Sequence, residues 1–221
     1  MEKAVLPQAG DWNNYWSLDQ TEKFTKVSWS KRRIIQTLQP FVKKGGRALD
    51  AGCGSGFFAK YFCDAGMTTT AVDYSKEALA IAQRLTESRV QVLQMDLVND
   101  QLQKSFAQKF DLIFTDGLFE HFVPADQDKI LKNFISVLSD RGVIVTFVPN
   151  KWSPWELIRP MFMPGIEEKP FVMKELRTLH QRNQLAVISD GGVNTFPFSF
   201  SPDQWLGRPF GMLLYVVTKK V

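Results

Sequence analysis

Three aspartates close three apolar runs in the first half of the chain: Asp50, Asp73 and Asp96. The first opens directly into Ala51-Gly52-Cys53-Gly54-Ser55-Gly56, with glycines on alternate positions. Glycine is required where the backbone takes a positive φ, or where a ligand approaches closer than a Cβ allows. Such a turn between a strand and a helix also aims unpaired N–H groups and the positive end of the helix dipole at whatever lies in front. Carboxylates at neighbouring strand ends can then accept hydrogen bonds or offset a positive charge. A phosphate ligand would ask for Gly-x-x-x-x-Gly-Lys-Ser/Thr, which is absent; the pattern Gly-x-Gly-x-x-Gly fails because its last glycine falls at Phe57. A second group follows the fourth apolar run, in Thr115-Asp116-Gly117-Leu118-Phe119-Glu120-His121. A histidine titrates near neutrality and can take a proton from a substrate. Singly, each acid reads equally as a strand end or helix cap, and His121 equally as a capping or supporting histidine. Three acids in register with a glycine turn are harder to explain that way.

The elements that must position these groups alternate. Arg47–Asp50 reads as a short buried strand, and a helix follows from Phe57 with Phe58, Tyr61 and Phe62 on one face, closing at Gly66. Met67–Asp73 is the second strand, and Ser75 caps a helix through Leu79 and Ile81. Val90–Met95 and Phe110–Thr115 are the third and fourth strands, the latter a continuous apolar run suited to a parallel sheet covered on both faces. Pro124 opens a helix with a stripe of Ile130, Leu131, Phe134, Val137 and Leu138, and Asp140-Arg141-Gly142 turns into a fifth strand, Val143–Val148. Before them, Ser30 is expected to cap a helix carrying Ile34, Ile35 and Leu38, with Lys31-Arg32-Arg33 on a solvated face. Strands alternating with helices in this way give a doubly wound α/β sheet. After Pro149-Asn150 the rhythm breaks; a helix over Met173–Arg182, a strand near Leu185–Ser189 and a last strand Met212–Thr218 follow. His180, on that late helix, is expected to be peripheral to the chemistry.

The acid-x-Gly-x-Gly-x-Gly run from Asp50 to Gly56 resembles the first motif of class I S-adenosylmethionine-dependent methyltransferases. The resemblance covers roughly residues 30–221 and is most specific between Asp50 and His121. It implies a mostly parallel seven-stranded sheet with an antiparallel last strand, S-adenosyl-L-methionine as cofactor and S-adenosyl-L-homocysteine as product. It also implies that Asp50, Ala51, Gly52, Gly54, Gly56, Asp73, Tyr74, Asp96, Leu97 and Thr115 bind the cofactor, with Asp73 on the ribose hydroxyls and Asp96 on the adenine amino group. Glu120-His121 is similar to the Glu-His pair of ubiquinone-pathway O-methyltransferases, and the segment passes beside the methionine end of the cofactor. His121 is then the candidate catalytic base. Relatives that carry a metal use Glu-x-x-Glu-His; the first glutamate position is Gly117 here, so no metal is expected.

At 221 residues, with 44% hydrophobic and 23% charged residues, the chain is expected to be a single domain over 1–221. It has no apolar run long enough for a membrane helix, no signal-peptide pattern and only two cysteines, Cys53 and Cys63. A cytoplasmic, reducing setting without membrane attachment follows as the expectation. A net charge of +4 is far from the basic stripe of a nucleic-acid binder. The Asp/Asn-Pro-Pro-Tyr run of base amino-methyltransferases and the Pro-Cys pair of cytosine-carbon enzymes are absent. The expected acceptor is a small molecule methylated on oxygen, nitrogen or sulfur. The alternatives are an RNA or protein methyltransferase, and a non-catalytic cofactor-binding protein. Residues 1–29, rich in aromatic rings, are expected to form a lid, and 151–172 a substrate-side insertion, with Tyr15, Trp16, Glu120, Trp152 and Trp155 binding the acceptor.

Overall fold

The computed structural model describes residues 9–162 and 168–221. One seven-stranded sheet runs in the order β3-β2-β1-β4-β5-β7-β6. Its strands are β1 (Arg47–Ala51), β2 (Thr68–Asp73), β3 (Gln91–Gln94), β4 (Phe110–Asp116), β5 (Leu138–Pro149), β6 (Leu185–Val193) and β7 (Leu213–Lys220). The first five pair in parallel, and β7 lies antiparallel to both β5 and β6, as expected of the closing hairpin. Between them run α1 (Ala9–Trp16), α2 (Trp29–Leu38), α3 (Phe57–Asp64), α4 (Lys76–Leu85), α5 (Leu102–Ser105), α6 (Pro124–Val137), α7 (Trp155–Phe162), α8 (Met173–Arg182) and α9 (Asp203–Phe210).

Strand pleating sends successive side chains to opposite faces, and two cores result. Leu49, Ile113, Ile144 and Val216 pack under α6 and α8 with Ile130, Phe134 and Leu176. Ala48, Leu112, Phe114, Val145 and Val217 face Ile34, Phe58 and Phe62 of α2 and α3. The chain leaves β1 for β2 and β3 on one side and returns to β4 on the other. That reversal opens a crevice beyond the carboxyl ends of β1 and β4, where ligands of open α/β sheets bind.

Several local expectations are corrected. Ser28, not Ser30, caps α2: its hydroxyl accepts from the Lys31 N–H at 3.2 Å, while Ser30 Oγ accepts from Asn194 Nδ2 at 2.7 Å. The cluster Lys31-Arg32-Arg33 is not one solvated face. Arg33 is buried, bonded to Asn194 Oδ1 and the Phe196 carbonyl at 3.0 Å each and ion-paired with Asp203, so it ties α2 to the connection before α9. Strand β5 starts at Leu138, five residues early, because a register irregularity beside Phe110 and Leu112 absorbs the Asp140–Gly142 turn into the strand. The connection before β7 carries a helix, α9, and the irregular stretch after Pro149 carries α7. Short apolar and proline-containing segments such as these have no periodicity that separates helix from loop.

Candidate functional site

Asp50, buried at the end of β1, accepts from the Ala59 N–H at 2.8 Å and so pins the first turn of α3 to its strand. Burial, opposed by that bond, pushes its carboxyl up to about 8, with Asp116 and Asp73 adding repulsion. Asp73 holds the glycine turn. Its Oδ2 accepts from the Gly54 N–H and its Oδ1 from the Ser75 N–H, each at 2.9 Å. Burial raises this carboxyl too, against the pull of its N–H donors. Asp96 accepts from the Val98 N–H at 2.9 Å, the Asn99 N–H at 3.2 Å and Asn99 Nδ2 at 2.7 Å, which turns the chain at the end of β3.

In front of these groups lies a cavity of about 830 Å³. Gly54 has φ +48°, and a Cβ there would lie 2.6 Å from Trp16 Cζ2: the indole of α1 rests directly on the turn. A Cβ on Gly52 would come within 3.1 Å of Leu118 Cδ1, on the opposite wall. The segment from Trp12 to Ser28 covers this end. Ser75 Oγ donates to Asn13 Oδ1 at 2.8 Å, Ser55 Oγ donates to the Phe24 carbonyl at 2.9 Å, and Tyr15, Trp16 and Phe24 cluster edge to face.

At the other end of the cavity, Glu120 and His121 stand on a short 3₁₀ turn, Phe119–His121, held by Gln127 Nε2 donating to the Phe119 and Phe122 carbonyls at 2.9 and 3.0 Å. His121 is buried edge-on to Trp12, and its Nε2 lies 3.8 Å from Glu120 Oε1. Glu120 is 1% exposed. Burial, and then Glu168, hold its carboxyl well above the ordinary carboxylate range. Glu168 arrives from beyond α7, and Arg159 Nε lies 3.1 Å from Glu156 and 3.5 Å from Glu168. Burial raises Glu168 to about 7, with Arg159 pulling the other way.

Of the expected cofactor residues, the cavity wall gathers Asp50, Gly52, Gly54, Asp73, Tyr74, Asp96 and Leu97; of the expected acceptor residues it gathers Tyr15, Trp16, Glu120 and Trp155, with His121 beside them. Four do not line it. Ala51 and Thr115 are buried in the sheet; Trp152 is 63% exposed at the turn after β5, on the outside. Gly56 also faces away: a Cβ there would lie 2.6 Å from the Ala82 Cβ, so this glycine lets α3 pack against α4. His180 is clear of the cavity, buried in the core with Nδ1 3.1 Å from Thr218 Oγ1. The first eight residues of the expected lid, and residues 163–167 of the expected insertion, lie outside the described residues.

The structure adds groups that sequence reasoning missed. Lys31 enters the wall from α2, 4.0 Å from the Phe57 ring centroid, and bonds to the carbonyls of Phe24 and Lys26. Burial lowers it to about 8, against the pull of Asp116. Arg159 and Glu168 stand in a stretch with no legible period, and only their types signalled chemistry.

The sequence matches the family described as methyltransferase domain over residues 48–142. Ubiquinone biosynthesis O-methyltransferase of Pseudomonas putida is 29% identical over 127 residues, which are 57% of this chain and 51% of that protein. The enzyme of the same name from Actinobacillus pleuropneumoniae is 32% identical over 153 residues, 61% of this chain and 64% of that protein. The chain thus spans about half the length of the first of these relatives. Among solved structures, an S-adenosylmethionine-dependent methyltransferase from Anabaena variabilis superposes with a TM-score of 0.71 at 20% identity, over 100% of this chain and 99% of that one. Residues 48–142 thus match a methyltransferase domain, and the whole chain shares the fold of the solved methyltransferase it superposes on.

Proposed function

We propose that the protein transfers a methyl group from S-adenosyl-L-methionine to an oxygen, nitrogen or sulfur atom of a small-molecule acceptor. The observation that carries this reading is one cavity with two chemically distinct ends: a glycine turn with Asp50, Asp73 and Asp96 at one, Glu120 and His121 at the other. The donor set fits the cofactor. Cβ atoms on Gly52 and Gly54 would intrude on the cradle, and carboxylates with aromatic rings suit a cation that carries no phosphate. Asp73 and Tyr74 would hold the ribose, Asp96 and Leu97 the adenine, and the turn from Asp50 the methionine end. When bound, the cofactor supplies an electrophilic methyl group on a sulfonium.

The chain's own part is to orient, dry and deprotonate. Holding two reactants in register can supply up to about 7–11 kcal/mol in favourable systems. Trp12, Tyr15 and Trp16 close the space, and the stretch from Trp12 to Ser28 acts as a lid. His121 serves as base when the acceptor begins protonated. Residues 151–172 contribute Trp155, Arg159 and Glu168 to the acceptor end.

Incubating the protein with metabolite extracts and methyl-labelled cofactor, followed by mass spectrometry, tests the reading: label should appear in a low-molecular-weight product. His121→Ala should lower turnover by about 10²–10⁴ and leave cofactor affinity nearly unchanged. Label appearing only in RNA or protein fractions, or in nothing, would refute the small-molecule assignment.

A further inference from the structure

The acceptor end of the cavity is short of positive charge. Glu120, Glu168 and Asp116 all face it, while Lys31 and Arg159 are the basic side chains on the described wall beside His121. Arg159 already serves Glu156 and Glu168, and Lys31, bonded to the Phe24 and Lys26 carbonyls, offsets Asp116. Glu120 Oε2 is buried with no hydrogen-bond partner among the described residues. Leaving a buried carboxylate oxygen unmet is costly, and a charged one more so. An oxygen each of Glu120 and Glu168 and a ring nitrogen of His121 lie within 4.8 Å of one another, around one point. Trp12 and Trp155 add aromatic walls beside it.

We propose that this cluster recognises an ammonium group, and that the acceptor is a small aromatic or apolar amine methylated on nitrogen. The inference rests on the methyltransferase reading and narrows its acceptor. Charge-assisted N–H···O bonds run about 2.7–2.9 Å, so one tetrahedral nitrogen places its acceptors about 4.6 Å apart. Adjacent ligands of a tetrahedral metal ion, at bonds of about 2.0–2.2 Å, lie about 3.4 Å apart. The 3.8 Å between Glu120 Oε1 and His121 Nε2, inside a cluster of 4.8 Å, falls between the two spacings, so the aromatic walls of Trp12 and Trp155 favour the organic cation and a metal ion is left as an outcome of the test. Aromatic faces are attracted to the same cation. Glu120 and Glu168 hold the charge and His121 takes the proton. The ammonium gives one N–H proton to neutral His121, and its freed lone pair forms the bond to the methyl carbon. The C–S bond breaks with its electron pair staying on sulfur, so a methylammonium and a neutral thioether leave.

The test uses paired probes of one shape, phenethylamine and phenethyl alcohol, titrated calorimetrically into the full chain at pH 7.5. S-adenosyl-L-homocysteine is titrated first; failure to bind it sinks the methyltransferase reading itself, separately from this one. On the complex, the amine should bind at least tenfold tighter than the alcohol. Glu120→Gln and Glu168→Gln should each bring the amine-to-alcohol affinity ratio down toward one while leaving the S-adenosyl-L-homocysteine affinity, set at the other end of the cavity, unchanged; two sites guard against one variant failing to fold. Equal affinities, or no binding of either probe at millimolar concentration, overturn the proposal. Stoichiometric Mn²⁺ binding, seen by electron paramagnetic resonance and abolished by Glu120→Gln, overturns it in favour of a metal site.

Discussion

Asp73 shows how one side chain can serve the turn and the cavity at once. Each oxygen of its carboxylate accepts one backbone N–H, from Gly54 and from Ser75, and retains a further lone pair toward the cavity it lines. Hydrogen bonds to a charged group contribute about 1.5–3 kcal/mol each. Asp73→Asn keeps the shape but turns one oxygen into a donor facing an N–H group. It should weaken S-adenosyl-L-methionine and S-adenosyl-L-homocysteine alike, by about 10–100-fold, because the ribose is common to both. Isothermal titration with each ligand checks this, and affinities equal to those of the parent would remove Asp73 from the cofactor site.

Among the elements, the segment from α1 to Ser28 is the one whose removal should change rates more than stability. It meets the rest of the chain through Trp16 on Gly54, Asn13 with Ser75, and Phe24 with Ser55, all at the cavity mouth. The two cores under the sheet are built from other residues. Aromatic contacts of this kind contribute about 0.5–1.5 kcal/mol beyond their burial. Trp16→Ala should therefore speed release of S-adenosyl-L-homocysteine by about 2–10-fold in stopped-flow displacement, with the melting temperature little altered. An unchanged release rate would mean that the segment packs there without gating the cavity.

At the scale of the whole molecule, acid stability should carry the mark of His180. It is fully buried, and burial lowers its pKa to about 3, against about 6.5 in an unfolded chain. A depressed folded-state pKa makes the contribution complete above the unfolded value and loses it as the pH falls from 6.5 toward 3, since the unfolded chain binds the proton first. Asp50 and Glu168, raised to about 8 and 7, give the opposite slope, losing stability as the pH rises through those values. Comparing the parent with His180→Gln isolates the histidine. The variant should be less stable at neutral pH but lose less on acidification, by up to about 1.4 kcal/mol per pH unit, in urea unfolding at pH 6.5, 5.5 and 4.5. Parallel pH profiles for the two proteins would contradict this account.

What the sequence determined by itself is local: the glycine turn, the acids at three strand ends, and the alternation that makes a doubly wound sheet. These are readable because each depends on neighbours within one turn or strand, where φ, hydrogen-bond pattern and burial period are set by residue type. The role of Gly56 was not readable, because a glycine kept for a ligand and one kept for the Ala82 contact look the same in a string. Nor were Lys31 beside Asp116 and Glu168 beside Glu120, since their charges meet across segments far apart in the chain. Tertiary structure decided those pairings by closing the sheet at β1 and β4 and bringing α2 and the stretch after β5 over the same crevice. Trp152 and Trp155 show the difference within a few residues. Both are large rings in the same irregular stretch, but the first is exposed and the second joins the wall, because α7 begins at Trp155.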